Sequence, residues 1–209
     1  MHFIRRNYGW IIVTILAILP LFIIIKMISE LPGELMQVPL DEAGEESRSS
    51  VAMLYHISGE FAIRWMTAVL TCTPFFILFG SNNLFVRQAM GIATAVWSIL
   101  HLIIFIWAEG FLETFTQVNY IAGFVAVVIL VPLLLTSNRK SMKRLKSKWK
   151  KLQSLAYIAA ALSLFHIILI EKTWLIYGII IGLGFIIRIP AIKDKIIGFR
   201  TRNKHQKVS

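Results

Sequence analysis

The sequence predicts an all-α integral membrane protein, a six-transmembrane-helix bundle with N-in/C-in topology. Hydrophobic residues make up 57% of the chain and charged residues only 16%, a balance that leaves no sizeable soluble domain. Several uncharged stretches approach about 20 residues, enough to cross a hydrocarbon core of about 30 Å. Lys and Arg collect in alternate loops while acidic residues collect in the others, as positive-inside placement requires.

The first span, 8–29, follows Arg5 and Arg6, which superficially suggest a signal peptide or twin-arginine signal. Its apolar run from Trp10 to Ile28 is longer than a usual signal core, and no small-x-small site follows it, so a retained helix is expected, bent at Pro20. The polar, acidic stretch from Glu30 to Ser50 has no strong periodicity and reads as a mobile loop that could meet an outside partner. Spans at 55–79, 86–108 and 117–135 follow, joined by short loops. Between the fourth span and the fifth, 153–170, Met142, Leu145, Trp149 and Leu152 recur at helical spacing among Arg139, Lys140, Lys143, Arg144, Lys146, Lys148, Lys150 and Lys151. That pattern predicts an interfacial helix on the inner leaflet. The sixth span, 173–191, carries Gly178 and Gly182 as a small-xxx-small face, as Ala156 and Ala160 do in the fifth. Trp10, Trp65, Trp97, Trp107, Trp149 and Trp174 fall mostly near span ends, where an aromatic belt places them. Residues 1–192 therefore read as one domain and 193–209 as a disordered basic cytoplasmic tail.

With the N-terminus inside, every Lys and Arg except Lys26, Arg48, Arg64 and Lys172 lies at a cytoplasmic end. The net charge of +11 thus points to anionic lipid headgroups, not to nucleic acid. A single cysteine, Cys72, excludes an internal disulfide and any cysteine cluster, and reads as a packing residue.

His101 and His166 stand deep in uncharged runs, where an ionisable group is expensive unless something uses it. His101 lies 14 residues after Arg87, a rise of about 21 Å, and His166 lies 15 residues after Lys151, about 22 Å up its own helix. Both fall at one level in the outer half of the bilayer. Two imidazoles at matched height on the third and fifth spans can clamp an iron porphyrin between them. The plainer alternative is that each bonds a neighbouring helix and tightens the bundle. No carboxylate in any span suggests a proton relay, and zinc would want three or four ligands where only these two and a distant Cys72 are offered. Arg64 has Glu60 one turn before it, an i, i+4 pair; alternatively Arg64 and His56, on one helical face, neutralise carboxylates of a bound group.

The stretches His56-Ile-Ser-Gly-Glu-Phe-Ala-Ile-Arg64, Thr71-Cys-Thr-Pro74, Arg87-Gln-Ala-Met-Gly91 through His101, and Thr136-Ser137 with Met142, Leu145, Trp149, Leu152 and Tyr157 leading to His166 resemble the ferric-reductase-like transmembrane domain family. The likeness covers a core of about 55–190, and within the family the chain is most similar to the haem-binding membrane subunits of periplasmic methionine sulfoxide reductase systems. The resemblance implies a b-type haem protein of the bacterial inner membrane. It would take electrons from a cytosolic flavin or flavin reductase and pass them to a periplasmic molybdenum methionine sulfoxide reductase subunit. It matches His101 and His166 to the axial iron ligands. The family often carries another histidine 13 residues before the second ligand, and here that position is Gln153.

Gln153 and Arg87 are the residues available at the inner level, and neither is an ordinary haem ligand. One haem b in the outer half is therefore expected, with FMN as the candidate second redox group, its phosphate held by Arg87, Arg139 and Lys140. Anchoring at the headgroups is the plainer role for Arg87. The six spans hold no soluble flavin or nicotinamide domain, so reducing equivalents come from a separate protein, a bound cofactor or quinol. The alternatives are a self-contained ferric or cupric reductase and, further off, a non-redox small-solute permease.

Overall fold

The computed structural model describes residues 2–30, 45–80, 84–170 and 174–206. All its regular elements among these are helical. The acidic residues Glu34, Asp41 and Glu42 between the first two spans lie outside the described residues, as do Glu171 and Lys172 ahead of the last span.

Helices α1 (His2–Ile18) and α2 (Leu21–Glu30) form one interrupted span. The break falls at Pro20, as expected, because proline has no N–H to continue the ladder; the chain re-forms it through Ile23 N–H to Pro20 O at 3.1 Å. Helix α3 (Glu45–Phe79) begins ten residues earlier than expected. The reason is packing: Val51 and Leu54 are buried, and Leu54 joins Ile24, Trp97 and Ile104 in an apolar cluster that fixes the preceding turns. Part of the stretch read as mobile loop is thus helix. α3 ends at Gly80 and α4 (Leu84–Glu109) at Gly110, both at positive φ (73° and 92°), the left-handed stop that glycine adopts without a Cβ penalty. A single 3-10 turn, Leu112–Phe115, leads into α5 (Val118–Leu135).

The expected interfacial helix is two pieces. α6 (Arg139–Leu145) is capped by Asn138, whose side chain accepts from Ser141 N–H at 2.8 Å. The chain then breaks at Lys146 (φ 48°), and α7 (Ser147–Ser154) stacks directly beneath α8 (Ala156–Ile168), so that 147–168 is long and apolar enough to be one span. Trp149 donates to Thr136 O at 3.0 Å, which ties this segment to the end of α5. The basic run therefore supplies the foot of the fifth span as well as a surface helix.

α9 (Trp174–Arg188) is too short to count as a span alone and does so only with α10 (Pro190–Gln206), from which it bends by 76°. The chain thus has five helices long and apolar enough to cross a membrane among the described residues, six if the bent pair is one span. The tail expected to be disordered is mostly α10. Arg200 donates to Ile77 O at 2.7 Å and its guanidinium lies against Gly80, so a cation covers the carbonyl end of α3, where the helix dipole favours it.

The main core joins Ile63, Met66 and Leu70 of α3 with Ala95, Leu130, Leu133, Ala159, Ala160 and Ile181. Outward faces carry Ile12, Phe22, Ile25, Ile176, Ile179 and Leu183, exposed as lipid-facing side chains are. The small-residue contact shifts along α9: a Cβ at Gly182 would meet nothing within 4 Å, while one at Gly184 would reach Pro74 at 3.3 Å, so Gly184 is the close approach. Trp97, read as an interfacial residue, is 1% exposed and its indole donates to Ala17 O at 3.0 Å, binding α4 to α1.

Candidate functional site

α3, α4, α5 and α8 enclose a cavity of about 290 Å³ lined by His101 and His166 together with apolar residues such as Ile63, Met66, Leu102, Val127 and Leu130. The two imidazole centres are 6.4 Å apart with their planes at 66°. Both equal-height histidines expected from helix rise are therefore brought to one cavity.

Each ring is held in the same way. His101 Nδ1 is 2.9 Å from Tyr55 O of α3, and His166 Nδ1 is 2.6 Å from Asn119 O of α5. A carbonyl only accepts, so each Nδ1 carries the proton and each Nε2 keeps a free lone pair. Ser58 Oγ donates to Tyr55 O at 2.9 Å and lies 3.2 Å from His101 Nδ1, bracing the same edge. Four residues beyond each accepting carbonyl stands a glycine. A Cβ at Gly59 would lie 3.1 Å from the His101 ring, and one at Gly123 would lie 3.1 Å from the His166 ring. The helix pairs α3/α4 and α5/α8 thus repeat one device: a carbonyl, a glycine one turn later, and a histidine ring laid against both.

That device fits an axial iron porphyrin. A metal-bound imidazole nitrogen lies about 2 Å from its metal and about 1 Å from its own ring centre, so two imidazoles on opposite faces of one iron have centres about 6 Å apart. The observed 6.4 Å matches this, the tautomer is the one that ligation needs, and the outer-shell carbonyls are the usual orienting partners. No group of three or more His, Cys, Asp and Glu suited to a metal ion occurs among the described residues.

Glu60, read from the sequence as the neighbour of Arg64, also meets the cavity. It lies within α3, lines the cavity, and accepts from Tyr177 Oη at 2.8 Å and from Arg64 at 2.9 and 3.0 Å. Arg64 is consequently the i, i+4 partner of Glu60; its side chain is 60% exposed and is not part of the cavity wall. His56 does line the cavity.

At the basic end, Arg87, Arg139 and Lys140 are exposed. Arg139 stacks over Phe85 with its guanidinium carbon 5.1 Å from the ring centre, and Gln88 donates to Ser137 O at 2.6 Å, so the first turn of α4 and the start of α6 adjoin. Gln153 donates to Leu133 O and Thr136 Oγ1, both at 3.2 Å. The amide at the position where the family often has histidine is committed to the carbonyl end of α5. Cys72 is buried and free, as a packing residue is.

Composition and helical spacing did not reveal Gly59, Gly123, Tyr55, Asn119 or Tyr177. The one available signal was spacing: 42 residues separate Gly59 from His101 and 43 separate Gly123 from His166. Glycine is common in membrane helices, which hides such a signal.

Comparison with known proteins agrees with the geometry. Residues 58–164 match the family described as ferric reductase like transmembrane component. A protein-methionine-sulfoxide reductase heme-binding subunit MsrQ of Rhizobium meliloti (strain 1021) is 33% identical over 134 residues, covering 61% of this chain and 62% of that protein. The protein of the same name from Brucella ovis is 29% identical over 142 residues, covering 65% and 64%. The match thus spans less than two thirds of each relative's length. No solved structure matches the chain significantly.

Proposed function

The chain belongs to the family of ferric reductase like transmembrane components, and from that premise we propose that it is the haem-binding, electron-carrying membrane subunit of a methionine sulfoxide reductase system. Its relatives are named as heme-binding subunits of protein-methionine-sulfoxide reductase. The observation that carries the reading is the pair of imidazoles 6.4 Å apart, each with Nδ1 pinned to a backbone carbonyl.

Bound haem b supplies a one-electron carrier in a low-dielectric site. The chain's residues do the rest. His101 and His166 would hold the iron through Nε2, with Tyr55 O and Asn119 O orienting the rings. Leu102, Val127 and Leu130 exclude water from the cavity wall. With the N-terminus inside, the site stands in the outer half of the bilayer of a bacterial inner membrane, toward a periplasmic molybdenum reductase. A cytosolic flavin reductase, or quinol, is the donor. FMN at the cytoplasmic mouth would be held by the cations Arg87, Arg139 and Lys140 and would supply a second redox group there.

Arg87→Ala is expected to lower flavin bound per purified chain, since an arginine supplies charge-assisted hydrogen bonds that alanine lacks. An unchanged flavin content removes the nucleotide from this end. Arg64 acts through Glu60: in Arg64→Leu the carboxylate lining the cavity loses its cation, which favours the ferric state and lowers the midpoint potential. A redox titration superimposable on wild type removes Arg64 and Glu60 from influence on the site.

The whole reading is tested in proteoliposomes by supplying a flavin reductase, NADH and FMN at the basic end and methionine sulfoxide reductase at the other. Reduced haem that reoxidises only when the enzyme and methionine sulfoxide are both present supports it. Reoxidation by ferric or cupric chelates alone, with no response to the enzyme, establishes instead the self-contained metalloreductase that the family description also favours.

A further inference from the structure

Three buried side-chain polar atoms lack a hydrogen-bond partner among the described residues: Thr67 Oγ1, Thr114 Oγ1 and Arg188 Nε. Of their residues only Thr114 lines the histidine cavity. Thr114 is 1% exposed. It sits on the 3-10 turn between α4 and α5, the segment that closes the cavity at the end opposite the basic run.

The turn is built to put this residue inside. Gly110, at positive φ, reverses the chain after α4. Phe111, Phe115 and Phe124 then lock into an edge-to-face cluster, with centres 5.3 to 6.4 Å apart. Phe111, Leu112 and Phe115 stay largely exposed, and Thr114 is the buried member of the turn. The apolar side chains of the turn face outward, as on the other lipid-facing surfaces, and its threonine is the side chain turned into the interior. A buried hydroxyl without a partner is costly, and native structures rarely leave one so. The neighbouring Thr116 follows the common pattern, bonding back to Glu113 O at 2.8 Å, whereas Thr114 Oγ1 has no hydrogen-bond partner among the described residues.

We propose that Thr114 is a binding residue for the haem edge, its hydroxyl donating to a propionate carboxylate. This inference rests on the haem reading above. The periphery of haem b is hydrocarbon apart from its two propionates, so an unpaired hydroxyl buried on a residue that lines that cavity has one polar feature of the ligand to meet. A bond from a neutral donor to an ionised carboxylate is among the stronger ones. It would set how the haem is turned within the cavity, which His101 and His166 alone would leave free.

The test compares wild type, Thr114→Val and Thr114→Ser, each loaded with haem b and, separately, with its dimethyl ester, whose propionates cannot accept as carboxylates. Haem transfer to excess apomyoglobin reports release, and gel filtration reports folding. Thr114→Val is expected to release haem b about tenfold faster, the effect of one lost charge-assisted hydrogen bond. Thr114→Ser stays near wild type, and the gap between valine and wild type closes with the dimethyl ester. Equal release of haem b from Thr114→Val and wild type overturns the proposal, as does a gap that persists undiminished with the ester, because the hydroxyl then acts on protein or water. Should the valine protein fail to fold, the serine variant and the wild-type comparison decide it: wild type must release the ester faster than haem b, and equal release overturns the inference. A wild-type chain that takes up no haem overturns the functional reading itself, a failure distinct from these.

Discussion

Purified in mild detergent with haem supplied, the chain is expected to give a low-spin b-type spectrum near one haem per chain, and His101→Ala and His166→Ala are each expected to abolish it. The expectation follows from the two rings' protonation as much as from their spacing. Carbonyl acceptors at Tyr55 and Asn119 leave a lone pair on each Nε2, and centres 6.4 Å apart suit two axial bonds and no direct contact between the nitrogens. Deleting either imidazole removes one of two axial ligands, so the low-spin signature goes even where some haem stays in the cavity. Added imidazole should restore it, which separates loss of a ligand from loss of the fold. A low-spin spectrum unchanged in either variant would sink the bis-histidine assignment. A folded wild-type protein without haem would return the histidines to the packing role that their carbonyl bonds also permit.

Gly59→Ala and Gly123→Ala are expected to weaken haem retention by about tenfold or more while leaving the haem-free protein folded. Alanine favours a helix over glycine by about 1 kcal/mol, so each substitution should if anything firm the helix itself. Its methyl group, however, arrives 3.1 Å from the histidine ring, tighter than ordinary packing, and overpacking of this kind costs about 1–3 kcal/mol. The ring is the movable neighbour, because backbone carbonyls hold it only by one edge. It rotates away, and the iron loses ideal geometry. Valine at either position should act more strongly still. Gly182→Ala is the control, since its Cβ meets nothing within 4 Å; it should gain the helix preference and keep its haem. Apoprotein melting and haem transfer measured on the same samples check both halves. Equal haem retention in all three alanine variants would show that the glycines do not set the ring positions.

The chain's own residues carried much of this to the surface of the sequence. Length and apolarity of the uncharged runs determine the helices, because a membrane leaves the backbone few other ways to satisfy its hydrogen bonds. Helix rise alone placed His101 and His166 at one height, since 1.5 Å per residue is nearly constant. Proline chemistry placed the break at Pro20. These are local or one-dimensional properties, and they survive without knowing which helix neighbours which.

What tertiary structure decided depends on contact between distant segments. Residues 45–54 became helix because Val51 and Leu54 found buried partners, and most of the tail became α10, whose Arg200 reaches the open end of α3. Glu60, legible only as a neighbour of Arg64, joins Tyr177 from a helix more than a hundred residues away and turns toward the cavity. The tautomers of the two histidines, the glycines that seat them and the unpaired hydroxyl of Thr114 come from the pairing of α3 with α4 and of α5 with α8. Periodicity says which side of a helix is apolar; it does not say whose carbonyl an imidazole will meet across the gap, and that meeting is what makes two histidines into a site.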